Sequence, residues 1–343
     1  MKEAKKILVT GGLGFIGGYL IQRLLNKNDQ IILNIDKNSY ASDLKKNAIY
    51  SKNNNKYFFT NINLKNEEAI KSKLADFDPD FIFHFAAESH VDKSIESPKP
   101  FLESNIIGTY NLLEAAREHW DKLPINRKNS FRFHHISTDE VFGSLNKNGQ
   151  FKEDSQYKPN SPYSASKAAS DHLVRAWYHT FGLPILITNC SNNFGPYQFP
   201  EKLIPLSILK ALNKEPIPIY GDGQNIRDWL YIEDHIDALL LVAEKANPGE
   251  TFCIGGNNER SNIQIVKLIY HFLNKLDNSY FYDDSKINFI KDRPGHDKRY
   301  SINSNLIKTK LGWIPKFSFE EALELTVKWY VNNQEWSKYM INK

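Results

Sequence analysis

Two short stretches of this 343-residue chain carry side chains whose types and spacing suit bond-making chemistry. In Tyr163-Ser164-Ala165-Ser166-Lys167 a phenol and an ammonium stand four residues apart. On a helix that spacing puts both on one face, with Cβ atoms about 5–6 Å apart. A phenol ionises near pH 10 and is a poor base at neutral pH, but a neighbouring cation favours the phenolate. The pair can then take a proton from an alcohol while a hydride leaves the same carbon. Ser161 as a cap, with Pro162 in the first turn, accounts for the same stretch as an ordinary helix start. The second stretch is Ser137-Thr138-Asp139-Glu140-Val141-Phe142-Gly143, where two adjacent carboxylates follow an apolar run. They suit acid–base work and equally an acidic turn capping a helix, and their spacing does not choose.

These groups need a frame, and the N-terminal third supplies one. Lys6–Thr10 reads as a buried strand and Tyr19–Leu25 as a helix, joined by Gly11-Gly12-Leu13-Gly14-Phe15-Ile16-Gly17-Gly18. Residues 12–17 match G-x-G-x-x-G, and Gly11, Gly14 and Gly17 repeat every third position. Such glycines permit a tight turn and close approach of backbone to a pyrophosphate at a helix N-terminus. The next strand, from Gln30, ends in Asp36, 19 residues after Gly17, where a carboxylate accepts hydrogen bonds from a ribose diol. Its charge would repel a 2′-phosphate, which favours NAD over NADP, although Lys37 beside it tempers that preference.

Further strands are expected at 57–62, 80–85, 131–136, 184–190 and 250–254, alternating with helices at 104–120, from 163 onward and at 235–245. That alternation predicts an α/β fold with a doubly wound parallel sheet, its ligands at the carboxyl ends of the strands. Ala86 and Ala87 then lie beside a dinucleotide, leaving it room. His84 reads as a packed strand residue, and His90 is open. After Cys190 the composition turns rich in Asn, Gly and Pro. We therefore expect a dinucleotide-binding domain over 1–190, with 228–256 returning to it, and a smaller interleaved domain over 191–227 and 257–343. Arg227 and Arg293 fall in turns of that second half, where a planar guanidinium suits a diphosphate.

Composition narrows the field. With 41% hydrophobic and 24% charged residues the chain has the make-up of a globular protein rather than a disordered one. Its net charge of +4 comes from scattered lysines, not a basic stripe, which argues against nucleic acid. Cys190 and Cys253 lack metal-ligand spacing and suit free thiols in a reducing compartment. No apolar run is long enough to span a bilayer and no secretory leader is seen, so a cytoplasmic location, without membrane or metal, is expected.

The motifs Gly-Gly-Leu-Gly-Phe-Ile-Gly (11–17), Ala-Ala-Glu-Ser-His-Val-Asp (86–92), Ser-Thr-Asp-Glu-Val-Phe-Gly (137–143) and Tyr-Ser-Ala-Ser-Lys (163–167) occur together. Asn-Cys-Ser-Asn-Asn-Phe-Gly-Pro (189–196), Arg-Asp-Trp-Leu-Tyr (227–231) and Asp-Arg-Pro-Gly-His-Asp (292–297) extend the pattern across nearly the whole chain. In this it resembles the extended short-chain dehydrogenase/reductase family of nucleotide-sugar epimerases and dehydratases, and within that family the 4,6-dehydratases of dTDP-glucose.

The resemblance implies NAD as cofactor, contacted by Gly11, Gly14, Phe15, Ile16, Gly17, Asp36, Lys37, Asn61, Ile62, Ala86, Ala87, Tyr163, Lys167 and Asn193. It implies a nucleotide-sugar site made of Ser89, Thr138, Asn192, Lys202, Leu203, Pro218, Tyr220, Arg227, Asn262, Arg293 and His296. Tyr163 would deprotonate the C4 hydroxyl, Glu140 remove the C5 proton and Asp139 protonate the leaving C6 hydroxyl, with Thr138 and Lys167 assisting. The product, a 4-keto-6-deoxy sugar, feeds rhamnose and other deoxysugars. A homodimer built from the helices at 104–120 and 163–181 is also implied. Asn61 departs from the family's Asp at that position, which puts the adenine contact in doubt, and Phe142 and Phe194 stand where Tyr is frequent.

Overall fold

The computed structural model describes residues 4–27 and 29–343. Its strands in chain order are β1 (Lys5–Thr10), β2 (Gln30–Asp36), β3 (Tyr57–Asn61), β4 (Phe81–His84), β5 (Arg132–Thr138), β6 (Ile185–Cys190), β7 (Asn192–Phe194), β8 (Ile217–Tyr220), β9 (Ile226–Tyr231), β10 (Thr251–Ile254), β11 (Glu259–Ser261) and β12 (Ile287–Ile290). Seven of them form one parallel sheet in the order β10-β6-β5-β4-β1-β2-β3.

Near-continuous apolar strands arise because helices cover both faces. Ile7 and Val9 point into one hydrophobic core and Leu8 into the other, the period-2 alternation of a strand. The chain runs outward from β1 through β2 to β3, then returns to place β4 on the other side of β1. The loops leaving β1 and β4 therefore diverge, and the crevice between them is where such sheets bind ligands.

Two glycines make that crevice possible. Gly11 has φ of +74°, and a Cβ there would lie 2.7 Å from the Ala86 nitrogen. A Cβ on Gly17 would lie 2.5 Å from the Gly11 carbonyl oxygen. The helix that follows is Phe15–Leu25, one turn longer at its start than periodicity predicts. The apolar spacing begins only at Tyr19, whereas the backbone is already helical within the glycine motif.

The helix expected at 104–120 begins as a π-helical segment, Leu102–Ile107, and continues as Gly108–Lys122. Helix Pro162–Phe181 starts in a reciprocal cap: Ser161 Oγ accepts the Ser164 N–H and Ser164 Oγ accepts the Ser161 N–H, at 3.1 and 3.0 Å.

The smaller part contains a three-stranded sheet, β11-β9-β7, and a parallel pair, β12-β8. Residues 228–231, read from the sequence as the crossing back to the large sheet, lie in β9 of this smaller sheet. The return begins at helix Ile232–Lys245, whose Glu233 and Asp237 both pair with Arg23 of helix Phe15–Leu25. That helix delivers β10 to the edge beside β6.

Candidate active site

A cavity of about 340 Å³ opens at the carboxyl ends of β1, β2, β4, β5 and β6. Of the residues singled out in the sequence, it is lined by Gly11, Gly14, Phe15, Ile16, Gly17, Asp36, Lys37, Ile62, Ala86, Ala87 and Ser89, and by Thr138, Glu140, Tyr163, Lys167, Asn192, Asn193 and Lys202.

One end has the character of a dinucleotide site. Gly14 caps helix Phe15–Leu25 with no side-chain cap, and no acid occupies the first turn. The first N–H groups of that helix are left for an anion. A Cβ on Gly14 would meet only the Gly11 oxygen, at 3.3 Å, so the glycine leaves open backbone facing the cavity. At the end of β2, Asp36 accepts the Leu13 N–H at 3.1 Å through Oδ2, and through Oδ1 the Asn38 N–H at 3.0 Å and the Ser42 hydroxyl at 3.3 Å. Burial pushes its carboxyl up, and these hydrogen bonds oppose the shift. Lys37 is paired with Glu88. Deeper in, Oδ1 of Asn192, Oδ1 of Asn193 and Oγ of Ser191 are buried without a partner among the described residues. Unpaired buried acceptors and hydroxyls on a cavity wall suit a hydrogen-bonding ligand. The residues present therefore fit a dinucleotide.

The other end holds the acid–base groups. Asp139 and Glu140 open a four-residue 3-10 turn, Asp139–Phe142, capped by Thr138, whose Oγ1 accepts the Glu140 N–H at 3.3 Å. The acidic capped turn is present, and of the two carboxyls Glu140 lines the cavity. Their environments differ. Asp139 is 1% exposed and lies behind the wall rather than on it. Burial, then the charges of Glu140 and Asp228, drive its carboxyl well above the usual range, toward the neutral form. Its Oδ2 has no partner among the described residues. Burial also raises Glu140, but Arg293, Arg227 and Lys202 all oppose that shift.

Tyr163 and Lys167 share a face of helix Pro162–Phe181, as their spacing predicts, and both line the cavity. Their partners differ from the simplest expectation. Burial, then Glu140, push the Tyr163 phenol well above its ordinary value. Lys167 donates to the Ile136 carbonyl at 2.9 Å, and its Nζ lies 3.4 Å from His135 Nε2.

Several expected residues are not on this wall. Asn61 is exposed at the end of β3, with its neighbours Ile62 and Asn63 lining the cavity instead. Leu203 begins a helix and packs against the core. Pro218, Tyr220, Arg227, Asn262, Arg293 and His296 belong to the smaller part. The rings of Tyr220 and His296 are 6.0 Å apart, and the Arg293 guanidinium stands 5.9 Å over Tyr220 and 3.3 Å from Asp92. Arg227 donates to the Asp297 carbonyl at 2.9 Å and stacks 4.3 Å over Tyr300. Pro218 sits in β8 and Asn262 starts a helix, its N–H reaching the Asn225 carbonyl at 3.1 Å. Arg227 and Arg293 join the site through the field they exert on Glu140.

Other residues at the site carried no local signal. Asn105 sits in the π-helical segment, 1% exposed, and holds the loop after β4: its Oδ1 accepts the Glu88 N–H at 2.8 Å and its Nδ2 donates to the Glu88 carbonyl at 3.0 Å and to Ser166 at 2.8 Å. A π-turn that re-aims one residue is a common functional device. Ser39, Ser42, Lys46, Gln198, Trp336 and Met340 also line the cavity. His84, read as a packing residue, is 1% exposed and bonded to Thr10 at 2.7 Å and Thr109 at 2.9 Å. His90 is half-buried, 3.4 Å from Glu201.

Comparison with known proteins agrees with this geometry. Residues 8–326 match the family described as GDP-mannose 4,6 dehydratase. The chain is 50% identical to a dTDP-glucose 4,6-dehydratase of Escherichia coli, over 96% of this chain and 95% of that protein. It is 48% identical to that of Neisseria meningitidis serogroup B, over 98% and 96%. Among solved structures, the dTDP-glucose 4,6-dehydratase of Bacillus anthracis in complex with NAD is 39% identical with a TM-score of 0.87, covering 98% of this chain and 100% of that one. The Streptomyces venezuelae enzyme, also solved with NAD, is 37% identical with a TM-score of 0.89, covering 98% and 99%. With this match over nearly its full length, the chain belongs to the nucleotide-sugar dehydratases of the extended short-chain dehydrogenase/reductase family.

Proposed function

We propose that the chain is a dTDP-glucose 4,6-dehydratase, an NAD-dependent hydro-lyase that turns dTDP-glucose into dTDP-4-keto-6-deoxy-glucose and water. The observation that carries the reaction type is the split pair after Thr138: Asp139, enclosed behind the cavity wall and driven well toward the neutral form, beside Glu140, which lines the cavity and whose rise three cations oppose. Eliminating water needs an acid for the leaving hydroxyl and a base for the neighbouring carbon, two tasks for which unlike environments suit two like residues.

The glycine loop, Asp36 and Asn193 would hold the dinucleotide. When bound, NAD supplies an acceptor for the C4 hydride and returns that hydride to C6, so it is not consumed. Tyr163 takes the C4 hydroxyl proton, with Thr138 assisting nearby and Lys167 favouring its ionised form. The 4-keto group acidifies the C5 proton, and Glu140 removes it. Asp139 gives its proton to the departing C6 hydroxyl, which has to come within hydrogen-bond reach of its unpaired Oδ2. Arg227 and Arg293 are the bidentate candidates for the diphosphate, with Lys202 a third cation. The division into an NAD-binding part and an interleaved nucleotide-sugar part follows the same assignment.

The assembly we favour is a homodimer through helices Gly108–Lys122 and Pro162–Phe181 and the π-helical segment before them. Leu102, Ile107 and Phe181 are 45%, 49% and 45% exposed there, and Tyr110 and Trp177 pack edge to face. An apolar face of this kind is a common mark of an interface. Two buried free thiols suit a cytoplasmic setting, and the product suits deoxysugar synthesis, rhamnose included.

The test is mass spectrometry after incubating purified protein with dTDP-glucose or UDP-glucose, no NAD being added. Loss of water from dTDP-glucose is the expected result. Loss from UDP-glucose alone would reassign the base. No mass change with either, even after NAD is supplied, would overturn the dehydratase and leave an isobaric 4-epimerase or a non-catalytic nucleotide-sugar sensor.

A further inference from the structure

Lys167 is 4% exposed, and an ammonium so far from water loses its proton unless a fixed negative charge holds it. Asp171, one helical turn further along the same helix, is 0% exposed and is the centre of a closed polar cluster. Its Oδ1 lies 3.1 Å from His135 Nε2. Its Oδ2 accepts from Ser137 at 2.9 Å, Tyr157 at 2.8 Å and Asn189 at 3.0 Å. His135 Nε2 is also 3.4 Å from Lys167 Nζ, so a single ring nitrogen stands between ammonium and carboxylate. It cannot serve both as acceptor and as donor. As N–H it satisfies the carboxylate, and Lys167 keeps its shorter bond to the Ile136 carbonyl.

Titratable groups face this pair from several elements. His84 comes from β4, His135 from β5, Cys190 from β6 and Cys253 from β10, with Tyr157 on the loop before the helix and Tyr163 on the helix itself. Burial keeps both imidazoles neutral, pushes the Cys190 thiol up to about 12, and raises Cys253 and both phenols. Asp139 and Glu140 act on Tyr163 instead. His135 and Asp171 lie outside the cavity wall.

We propose that Asp171 is the buried counter-charge that keeps Lys167 protonated, and through it lets Tyr163 ionise: a positioning residue for the oxidation step that touches neither substrate nor cofactor. The inference rests on the roles given above to Tyr163 and Lys167. Four hydrogen bonds fix the carboxylate and hold it ionised, and the same bonds tie it to Thr138, because the Asn189 amide that donates to Asp171 also donates to the Thr138 carbonyl at 3.2 Å.

The experiment uses Asp171→Asn holoenzyme, which keeps the shape and lets the Ser137 and Tyr157 hydroxyls turn to accept. Reduction of bound NAD is followed in a single turnover with dTDP-glucose across pH. Without the counter-charge the phenolate is harder to form. The rate at neutral pH should fall about tenfold or more and recover toward wild type as pH rises, the ionisation moving up by about one unit for each tenfold. An equal fall at every pH, or no fall, would overturn the proposal. If Asp171→Asn does not fold, adding Lys167→Met should restore a folded protein, since the double variant leaves no lone buried charge; a double variant no more stable than the single one would overturn it too. Wild type that reduces no NAD with this sugar would instead overturn the parent assignment.

Discussion

Tyr163 and Lys167 share one helix face, yet the ammonium donates to the Ile136 carbonyl at 2.9 Å, while burial drives the phenol well above its ordinary value. The lysine is thus anchored to β5, the strand whose last residue is Thr138. The same Thr138 side chain accepts the Glu140 N–H and lies 3.3 Å from Asp139 Oδ1. One hydroxyl thus sets the register of both proposed eliminating groups.

Tyr163→Phe keeps the ring in its packing against Phe101 and removes the oxygen proposed to accept the C4 proton. Losing a positioned base costs roughly 10²–10⁴-fold. Stopped-flow absorbance should show NAD reduction by dTDP-glucose slowed by that factor, with the far-UV circular dichroism unchanged. A rate within tenfold of wild type would remove Tyr163 from the step.

Glu140→Gln and Asp139→Asn should fail at different points. In Glu140→Gln, which lacks the base, NADH should accumulate while deuterium from solvent no longer enters C5, and water loss should slow by about 10²–10⁴-fold. In Asp139→Asn, C5 exchange should continue and only the departure of water should slow. Proton NMR of the recovered sugar separates the two, and identical behaviour of both variants would sink the division of labour.

The large sheet was legible because its strands are buried on both faces, so Ile7 to Thr10 and Phe81 to Phe85 read as apolar runs next to turn residues. The candidate cavity was legible wherever one short motif supplies both the backbone shape and the side chain, as in Gly11–Gly17 and Thr138–Glu140. What could not be read is contact between distant segments. Asn105 looks like an ordinary polar helix position, and only the π-turn aims it at Glu88. The run from Asp228 to Tyr231 looked like a crossing back to the large sheet because the pattern of a strand does not say which sheet it joins. Asp171 carries no local signal, since its partners on β5, β6 and the 157 loop are set by tertiary packing alone.

Lys46 offers a test by pH. Its ammonium lies 4.7 and 4.2 Å over the rings of Tyr19 and Tyr197, and burial lowers its pKa to about 8 from an ordinary 10.5, against the pull of Asp43 and Glu233. Between those two values the unfolded chain holds a proton that the folded chain has lost. Stability therefore rises with pH across that window, and below about 8 the charged form weakens the fold. Lys46→Met should raise the melting temperature at pH 7 and flatten its dependence between about pH 8 and 10. A variant less stable than wild type at pH 7 would mean that the cation–ring contacts outweigh the burial cost.

Trp336 ties the C-terminal helix, Gln334–Ile341, to the loop after β2. Its indole N–H donates to Asp43 Oδ2 at 2.7 Å, and its ring meets that of Tyr197 edge to face at 5.5 Å, both residues lining the cavity. Lys343 adds a hydrogen bond of 2.7 Å to the Ser42 carbonyl. Ser42 in turn supports Asp36, the candidate ribose acceptor. Trp336→Ala loses a hydrogen bond to a charged group, worth about 1.5–3 kcal/mol, roughly ten- to hundredfold in binding. The expected outcome is protein that emerges from gel filtration with less NAD than wild type and regains its turnover when NAD is added back. Full NAD occupancy after the same gel filtration would show that the helix packs beside the cavity without holding its ligand.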